Sequence, residues 1–331
     1  MENQDLFASN DNAMNNSATD IISTRLKDLE KKRKAKEEEW DIGFYYAPMG
    51  DILPIHSIGA MEYPFFSLKK LELEPFVCEY KTGASLAITG NAEMHVRKKT
   101  EDGTYVKELI SLGRATAYDE KLWVYLISKM QANYDATGSL YRRIRFNAWD
   151  YLKNIGLPAG GSQFATLEKS LYRLRATQIV CNLESKLSGN GGTVIASKEY
   201  SKSFNLIDSF EYLKTTYEKK QHLNKMEIEV ELPHWIIQTI QNKALLKISS
   251  AYITEDLTNL EKRVYLICEK FCGNSSYWHI GLENLQARLG STVTLRHFKH
   301  ELKKIIANQS IPKYKIGISD DGRNFQVVHK E

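Results

Sequence analysis

The chain has 331 residues, 42% of them hydrophobic and 26% charged, with a formal net charge of +4. That length suits two domains that each bury a core, and the composition excludes a fibrous or wholly disordered chain. No apolar run approaches membrane-spanning length, and the Asn-rich start "MENQDLFASNDNAMNNSATD" lacks the basic opening and apolar stretch of a signal peptide, so a cytoplasmic protein without membrane association is expected.

Residues 1–20 read as polar and disordered, and "TRLKDLEKKRKAKEEEW" at 24–40 as a densely charged helix former. Residues 1–40 are therefore expected to be a disordered or helical tail, either a plain solvated arm or an element for self-association or nonspecific DNA contact. From about residue 41 the text turns globular, with β-rich segments "DIGFYY", "EPFVCEY" and "ASLAITG" and a hairpin-like "KKTEDGTYVKE".

A repeat then emerges. "VYLI" occurs at 124–127 and again at 264–267, each time on a helical pattern: Leu122, Leu126 and Met130 in the first copy, and Leu260, Val264, Ile267 and Phe271 in the second. An extended segment follows in both, with Ile144 and Phe146 matching Trp278 and Ile280. At the same offset a short helix closes on glycine: Ala148, Tyr151, Ile155 and Gly156 match Leu282, Leu285, Leu289 and Gly290. A longer helix comes next, its apolar positions Phe164, Leu167, Leu171 and Leu174 spaced as Leu295, Phe298, Leu302 and Ile305 are. Each copy ends in a β-hairpin, "TQIVCNL" to "TVIAS" and "YKIGIS" to "NFQVVHK".

Helix, strand, helix, turn, helix and hairpin is the layout of a winged helix, whose third helix enters a major groove about 12 Å wide. Placing the apolar positions inward leaves Ser162, Thr166, Lys169 and Arg173 outward in the first copy, and Arg296, His297, His300 and Lys304 in the second. Arg142, Arg143 and Arg145 flank the first unit, and Lys299, Lys303, Lys313 and Lys315 lie in or after the second helix, where phosphate oxygens are the natural partner. From the wings, Lys186 and Lys198 in the first and Arg323 in the second are expected near the DNA backbone. The fold expected is α+β, two tandem winged-helix domains over 41–222 and 223–331 after the tail.

Several chemistries find no support. No "GxxxxGK[ST]" loop is present, the histidines show no paired spacing, and the carboxylates show no two-metal motif, so no catalytic site, cofactor or metal is expected. Cys268 and Cys272 with His297 and His300 make a zinc set on paper. The two cysteines, however, lie one turn apart on a helix that needs apolar residues, and read better as small buried hydrophobes, while all four cysteines are too scattered for a disulfide framework.

The stretch "NIGLPAGGSQFATLEKSLYRLRATQIVCNL" resembles the signature segment of the replication initiator protein A family, through Gly160, Gly161, Phe164, Leu167, Leu171, Arg173 with Leu174, and Thr177. Ala176 stands where that family usually has glycine. The resemblance extends back to "FFSLKK" and "YDEKLWVYLISKM" and forward through "YITEDLTNLEKRVYLICEKFCG", "YWHIGLENL", "FKHELKKI" and "IPKYKI". It implies a non-enzymatic plasmid replication initiator that binds direct repeats (iterons) in double-stranded DNA, helps melt an adjacent A·T-rich segment, and works with a host initiator protein and the replicative helicase. It also implies that some such proteins dimerise to repress their own gene. A transcriptional repressor built on the same units, and a DNA-processing enzyme such as a nickase or primase, are the alternatives.

Overall fold

The computed structural model describes residues 44–46, 53–186, 193–196, 201–215 and 225–330; the tail expected at 1–40 lies outside them. The class is α+β. After β1 (Phe44–Tyr46), the buried strand β2 (Ile55–Ser57) runs into the short helix α1 (Ile58–Glu62). Strands β3 (Phe76–Glu79) and β4 (Ser85–Thr89) pair antiparallel, and the two-residue alternation of a strand sends Leu86 and Ile88 of β4 into the core. Next, β5 (Ala92–Lys99) and β6 (Tyr105–Gly113) form the expected hairpin, a two-stranded ribbon.

The first unit comprises α2 (Glu120–Thr137), β7 (Arg143–Asn147), α3 (Ala148–Asn154) and α4 (Gly161–Ala176). The outgoing arm of its hairpin is β8 (Gln178–Cys181) and β9 (Leu183–Lys186), and the return arm is β10 (Thr193–Ala196) and β11 (Lys202–Asn205). A second hairpin, β12 (Ser209–Thr215) and β13 (Lys225–Glu231), leads through α5 (His234–Gln241), β14 (Leu245–Lys247) and α6 (Ala251–Thr254) to the second unit. That unit is α7 (Asn259–Phe271), β15 (Tyr277–Gly281), α8 (Leu282–Leu289), α9 (Leu295–Asn308), β16 (Tyr314–Ile318) and β17 (Asn324–His329). The expected element order thus recurs in full.

The helix registers also hold. In α4, Leu167, Leu171 and Leu174 are buried and Phe164 is half-buried; in α9, Phe298, Leu302 and Ile305 are buried and Leu295 is half-buried. Gly156 and Gly290, just beyond α3 and α8, both adopt positive φ, +72° and +71°. The "VYLI" helices differ from the expected single apolar stripe. Residues 122–127 of α2 and 264–268 of α7 are buried on every side, so these are the central helices about which each half packs.

Strand pairing breaks the repeat. In the second unit β15 pairs with β17, which pairs with β16, giving a three-stranded sheet. In the first unit β7 ignores the hairpin that follows α4 and pairs with β13, while β8 joins β4 and β11. The register explains the preference: Ile144 and Phe146 meet Val230 and Ile228 on the core face, while Arg143, Arg145 and Asn147 meet Glu231, Glu229 and Glu227 on the other. Because β12 and β13 are paired strands, the domain boundary expected between 222 and 223 falls inside a hairpin. The segment "MEIEVELPHWIIQTIQN" forms most of β13 and all of α5, and buries Met226, Ile228, Val230, Ile236 and Ile237. β14 also pairs with β2, so the first half keeps the chain through residue 247.

One polar cluster joins the halves. Arg263 of α7 is fully buried; its Nη1 donates to the Ala60 carbonyl at 2.7 Å, and its Nη2 to the carbonyls of Met61 and Arg288 at 3.3 and 3.2 Å. Its counter-charge is Glu120 at the start of α2, at 3.7 Å, which also meets His56 Nε2 at 3.1 Å and accepts from the Tyr252 hydroxyl at 2.7 Å. Nearby, Arg288 pairs with Glu62 at 2.6 Å. Several partners meet each buried charge, which a buried ion needs if it is not to destabilise the fold, although the Arg263 Nε–H is buried without an acceptor among the described residues.

Candidate nucleic-acid interface

Helix α9 shows how an exposed cationic face is built. Thr294 caps it, its hydroxyl accepting from the His297 backbone N–H at 3.3 Å, and the inward trio Phe298, Leu302 and Ile305 fixes the helix on the core. The rotation that buries this trio leaves Arg296, His297, His300, Lys303 and Lys304 exposed. Lys304 makes an i,i+3 pair with Glu301 at 2.8 Å, and the same carboxylate feels His297 and His300, whereas Arg296 and Lys303 have no carboxylate partner among the described residues. An open groove on this face is lined by Leu295, Arg296, Lys299, His300 and Lys303.

The closing hairpin of the second unit is tied to that helix. Lys299 Nζ donates to the Gly322 carbonyl at 3.1 Å, so the β16–β17 turn is held against α9. Within the turn, Asp321 accepts from the Arg323 backbone N–H at 3.0 Å, and its hydrogen bond from the Ser319 hydroxyl holds its carboxyl below the usual range. Asp321 therefore shapes the hairpin, and Arg323 stands exposed at its tip. Lys315 is exposed on β16, and Lys313 pairs with Glu269 at 3.1 Å.

The first unit is arranged differently. Helix α4 is preceded by Gly160 at its N-cap, which offers no side chain, so no N-cap side chain covers its first N–H groups beside the exposed Ser162. Thr166 is exposed and its hydroxyl donates to the Ser162 carbonyl at 2.9 Å; Lys169 is half-buried.

Arg173 overturns its expected outward placement. Its Nε and Nη2 donate to Asp119 Oδ2 and Oδ1 at 2.8 and 2.6 Å; the Asp119 side chain is 0% exposed and that of Arg173 11%. A buried carboxylate at the start of α2 needs a counter-charge, and this guanidinium supplies it.

The three flanking arginines are corrected as well. Arg145 meets Glu229 at 2.6 Å, Arg142 meets Asp208 at 2.6 Å and Glu231 at 3.2 Å, and Arg143 approaches Glu231 at 3.9 Å. Arg143 and Arg145 also lie on the far face of their sheet from α4. Glu168 of α4 accepts hydrogen bonds from Tyr212 and Lys214 of β12, which pair with Ile228 and Met226 on the core face. The pleat puts the arginines on the opposite face, so their charges serve strand pairing rather than the outer side of α4. Lys186 belongs to β9 by its backbone and its side chain lies outside the described residues, as does Lys198 altogether.

Cys268 and Cys272 are buried free thiols, as expected of small hydrophobes; burial pushes the Cys268 thiol well up, and the Cys272 thiol donates to the Ser275 carbonyl at 3.1 Å. Arg263, which positions one half against the other, escaped the sequence reading. In "LEKRVYLI" it follows Glu261 and Lys262 and looks like one more charge of a solvated turn.

Known proteins can be set beside this geometry. The profile described as "Replication initiator protein A" matches residues 56–316. A protein of Wigglesworthia glossinidia brevipalpis described as "Putative replication protein" is 32% identical over 291 residues, covering 87% of this chain and 91% of its own length. Two crystal structures of domains 2 and 3 of RctB align with TM-scores of 0.49 and 0.45 at 13% and 12% identity; they cover 80% and 78% of this chain and 93% and 91% of their own. No helix among the described residues is long and apolar enough to cross a membrane. With its repeated units, the exposed cations of α9 and a family profile running through both halves, the chain belongs to the replication initiator protein A family.

Proposed function

We propose that this replication initiator reads direct repeats (iterons) in double-stranded origin DNA with two winged-helix units, α9 being the principal reading helix and α4 the second. The observation that carries the reading is the outer face of α9, where Arg296 and Lys303 are exposed without carboxylate partners among the described residues, His297 and His300 are exposed beside them, and the hairpin is anchored by Lys299. Unpaired cations on a supported helix suit phosphate oxygens and the base edges of a major groove. The α4 face is neutral by comparison, offering Ser162, Thr166, Lys169 and open backbone N–H groups, which suits closer and less charge-driven contact.

Within this reading the protein acts by binding and not by catalysis. Local melting of an adjacent A·T-rich segment then draws on binding energy and DNA deformation. Host initiator and helicase are its working partners on the DNA, in the cytoplasm, and a homodimer serves any repression of its own gene. The test is fluorescence anisotropy with a duplex carrying the repeats beside its gene. Arg296→Ala is expected to cost about 1–3 kcal/mol of specific binding if it reaches a base edge, and Lys303→Ala to lower the salt slope by about 1. Full specific affinity in the double variant would remove α9 from the interface.

A further inference from the structure

Among the described residues of the first unit, Arg173, Arg142 and Arg145, where the sequence promised phosphate contacts, are all met by carboxylates. Unpaired cations of this half stand on the β5–β6 ribbon. Its register sets Arg97 opposite Lys107, Lys99 opposite Tyr105 and His95 opposite Leu109. Opposed residues of an antiparallel pair share a face, so His95, Arg97, Lys99 and Lys107 line one side with Tyr105 and Leu109. The ribbon's ion pair, Lys98 to Glu108 at 3.1 Å, lies on the other side with Met94, Val96, Val106 and Ile110.

Arg97, Lys99 and Lys107 are exposed and have no carboxylate partner among the described residues. Like charges directly opposed across two strands oppose pairing, so Arg97 facing Lys107 does not serve the ribbon's own stability. The acids on or near this face have other places. Glu93 sits by the root, and at the tip, beside Glu101, Asp102 is held by the Thr100 and Thr104 hydroxyls within the turn.

The ribbon's direction is fixed at its root. Gly90 has φ +135°, and a Cβ there would lie 2.3 Å from the Ala176 carbonyl oxygen at the end of α4; Gly113 has φ +69°, and a Cβ there would lie 2.4 Å from the Glu72 carbonyl oxygen. Backbone meets backbone so closely at both positions that only glycine fits. The eight residues of β5, at about 3.3 Å each, carry the cationic face roughly 26 Å out from this joint beside α4.

We propose that the cationic side of the β5–β6 ribbon is an arm that holds the phosphate backbone of duplex DNA flanking the segment addressed by α4. The proposal rests on the DNA-reading function above and gives the first unit the backbone contacts that α4 does not supply. Three cations spaced along an exposed two-stranded ribbon complement a phosphate strand, and backbone contacts of this kind position a protein on DNA without reading sequence.

The test uses the full chain and a duplex with the repeats and long flanks, titrated across a salt series. In the triple variant R97Q/K99Q/K107Q the slope of log affinity against log salt is expected to fall by about 2 to 3, near 0.9 per lost phosphate contact. Lys98→Gln, on the opposite side, is expected to leave it unchanged. Trimming the flank should lower the slope of the unaltered protein by a similar amount, an outcome that does not depend on any variant folding. An unchanged slope in both the triple variant and the trimmed duplex overturns the ribbon alone, whereas absence of salt-dependent binding by the unaltered protein overturns the DNA reading with it.

Discussion

Arg173 grips Asp119 through two hydrogen bonds of 2.8 and 2.6 Å, joining the last turns of α4 to the first turn of α2 across 54 residues of sequence. Both side chains lie in the interior of the first unit. Arg173→Ala is therefore expected to act on stability, by about 3–5 kcal/mol, because it strands a buried carboxylate. Thermal denaturation checks the loss, and DNA affinity measured where the variant is still folded should stay near that of the unaltered protein. A stable variant with weakened specific binding would return Arg173 to the interface.

Leu171 and Leu302 occupy equivalent, fully buried places in α4 and α9. Replacing either by alanine is expected to cost about 2–5 kcal/mol through lost burial and the cavity left behind. Thr166→Ala, on the exposed face of α4, should stay within about 0.5 kcal/mol. Chemical denaturation of the three variants would reveal a wrong helix register if the order came out reversed.

Gly156 and Gly290 make the same turn in the two units, but their surroundings differ. A Cβ at Gly156 meets nothing within 4 Å, whereas one at Gly290 would lie 2.6 Å from Pro64 Cβ. Gly156→Ala is expected to cost about 1–2 kcal/mol, the penalty of a left-handed conformation, and Gly290→Ala more than that. Equal melting temperatures for the two variants would contradict the close approach of α8 to Pro64.

Glu120 predicts a pH dependence. Burial by itself pushes its carboxyl up, yet the hydrogen bond and charge of His56, followed by Arg263 and Tyr252, hold it below the ordinary value of 4.5. A carboxyl lowered by folding stabilises the protein above its unfolded value and loses that contribution as pH falls through the folded one. Glu120→Gln is thus expected to lower the melting temperature at neutral pH, with the difference narrowing only below about 4.5. A difference that stayed constant through the acid range would mean that the charge of Glu120 does not hold the junction.

What the sequence displayed, and what it hid, follows from range. The helix registers of α4 and α9 and the glycine stops at Gly156 and Gly290 were legible because each is set by neighbours within two turns. The partner of β7 was not, since Glu229 and Val230 arrive about 85 residues after Arg145 and Ile144, and a period-2 strand carries no address for its mate. For the same reason the cations divided wrongly. Arg142, Arg145 and Arg173 look no different in sequence from Arg296 and Lys303, and only the fold brings carboxylates to the first three. The two central helices concealed their all-round burial because Arg263 and Glu120, each a surface residue by type, neutralise one another inside.

The central claim is that both halves of this initiator read repeated sequence in duplex DNA. The most direct measurement is a footprint of the purified full chain on the DNA flanking its own gene, against a scrambled duplex, across a salt series. Regularly spaced protection of direct repeats, weakening steeply as salt rises, is the predicted result. Equal affinity for the scrambled duplex at every salt concentration would contradict it.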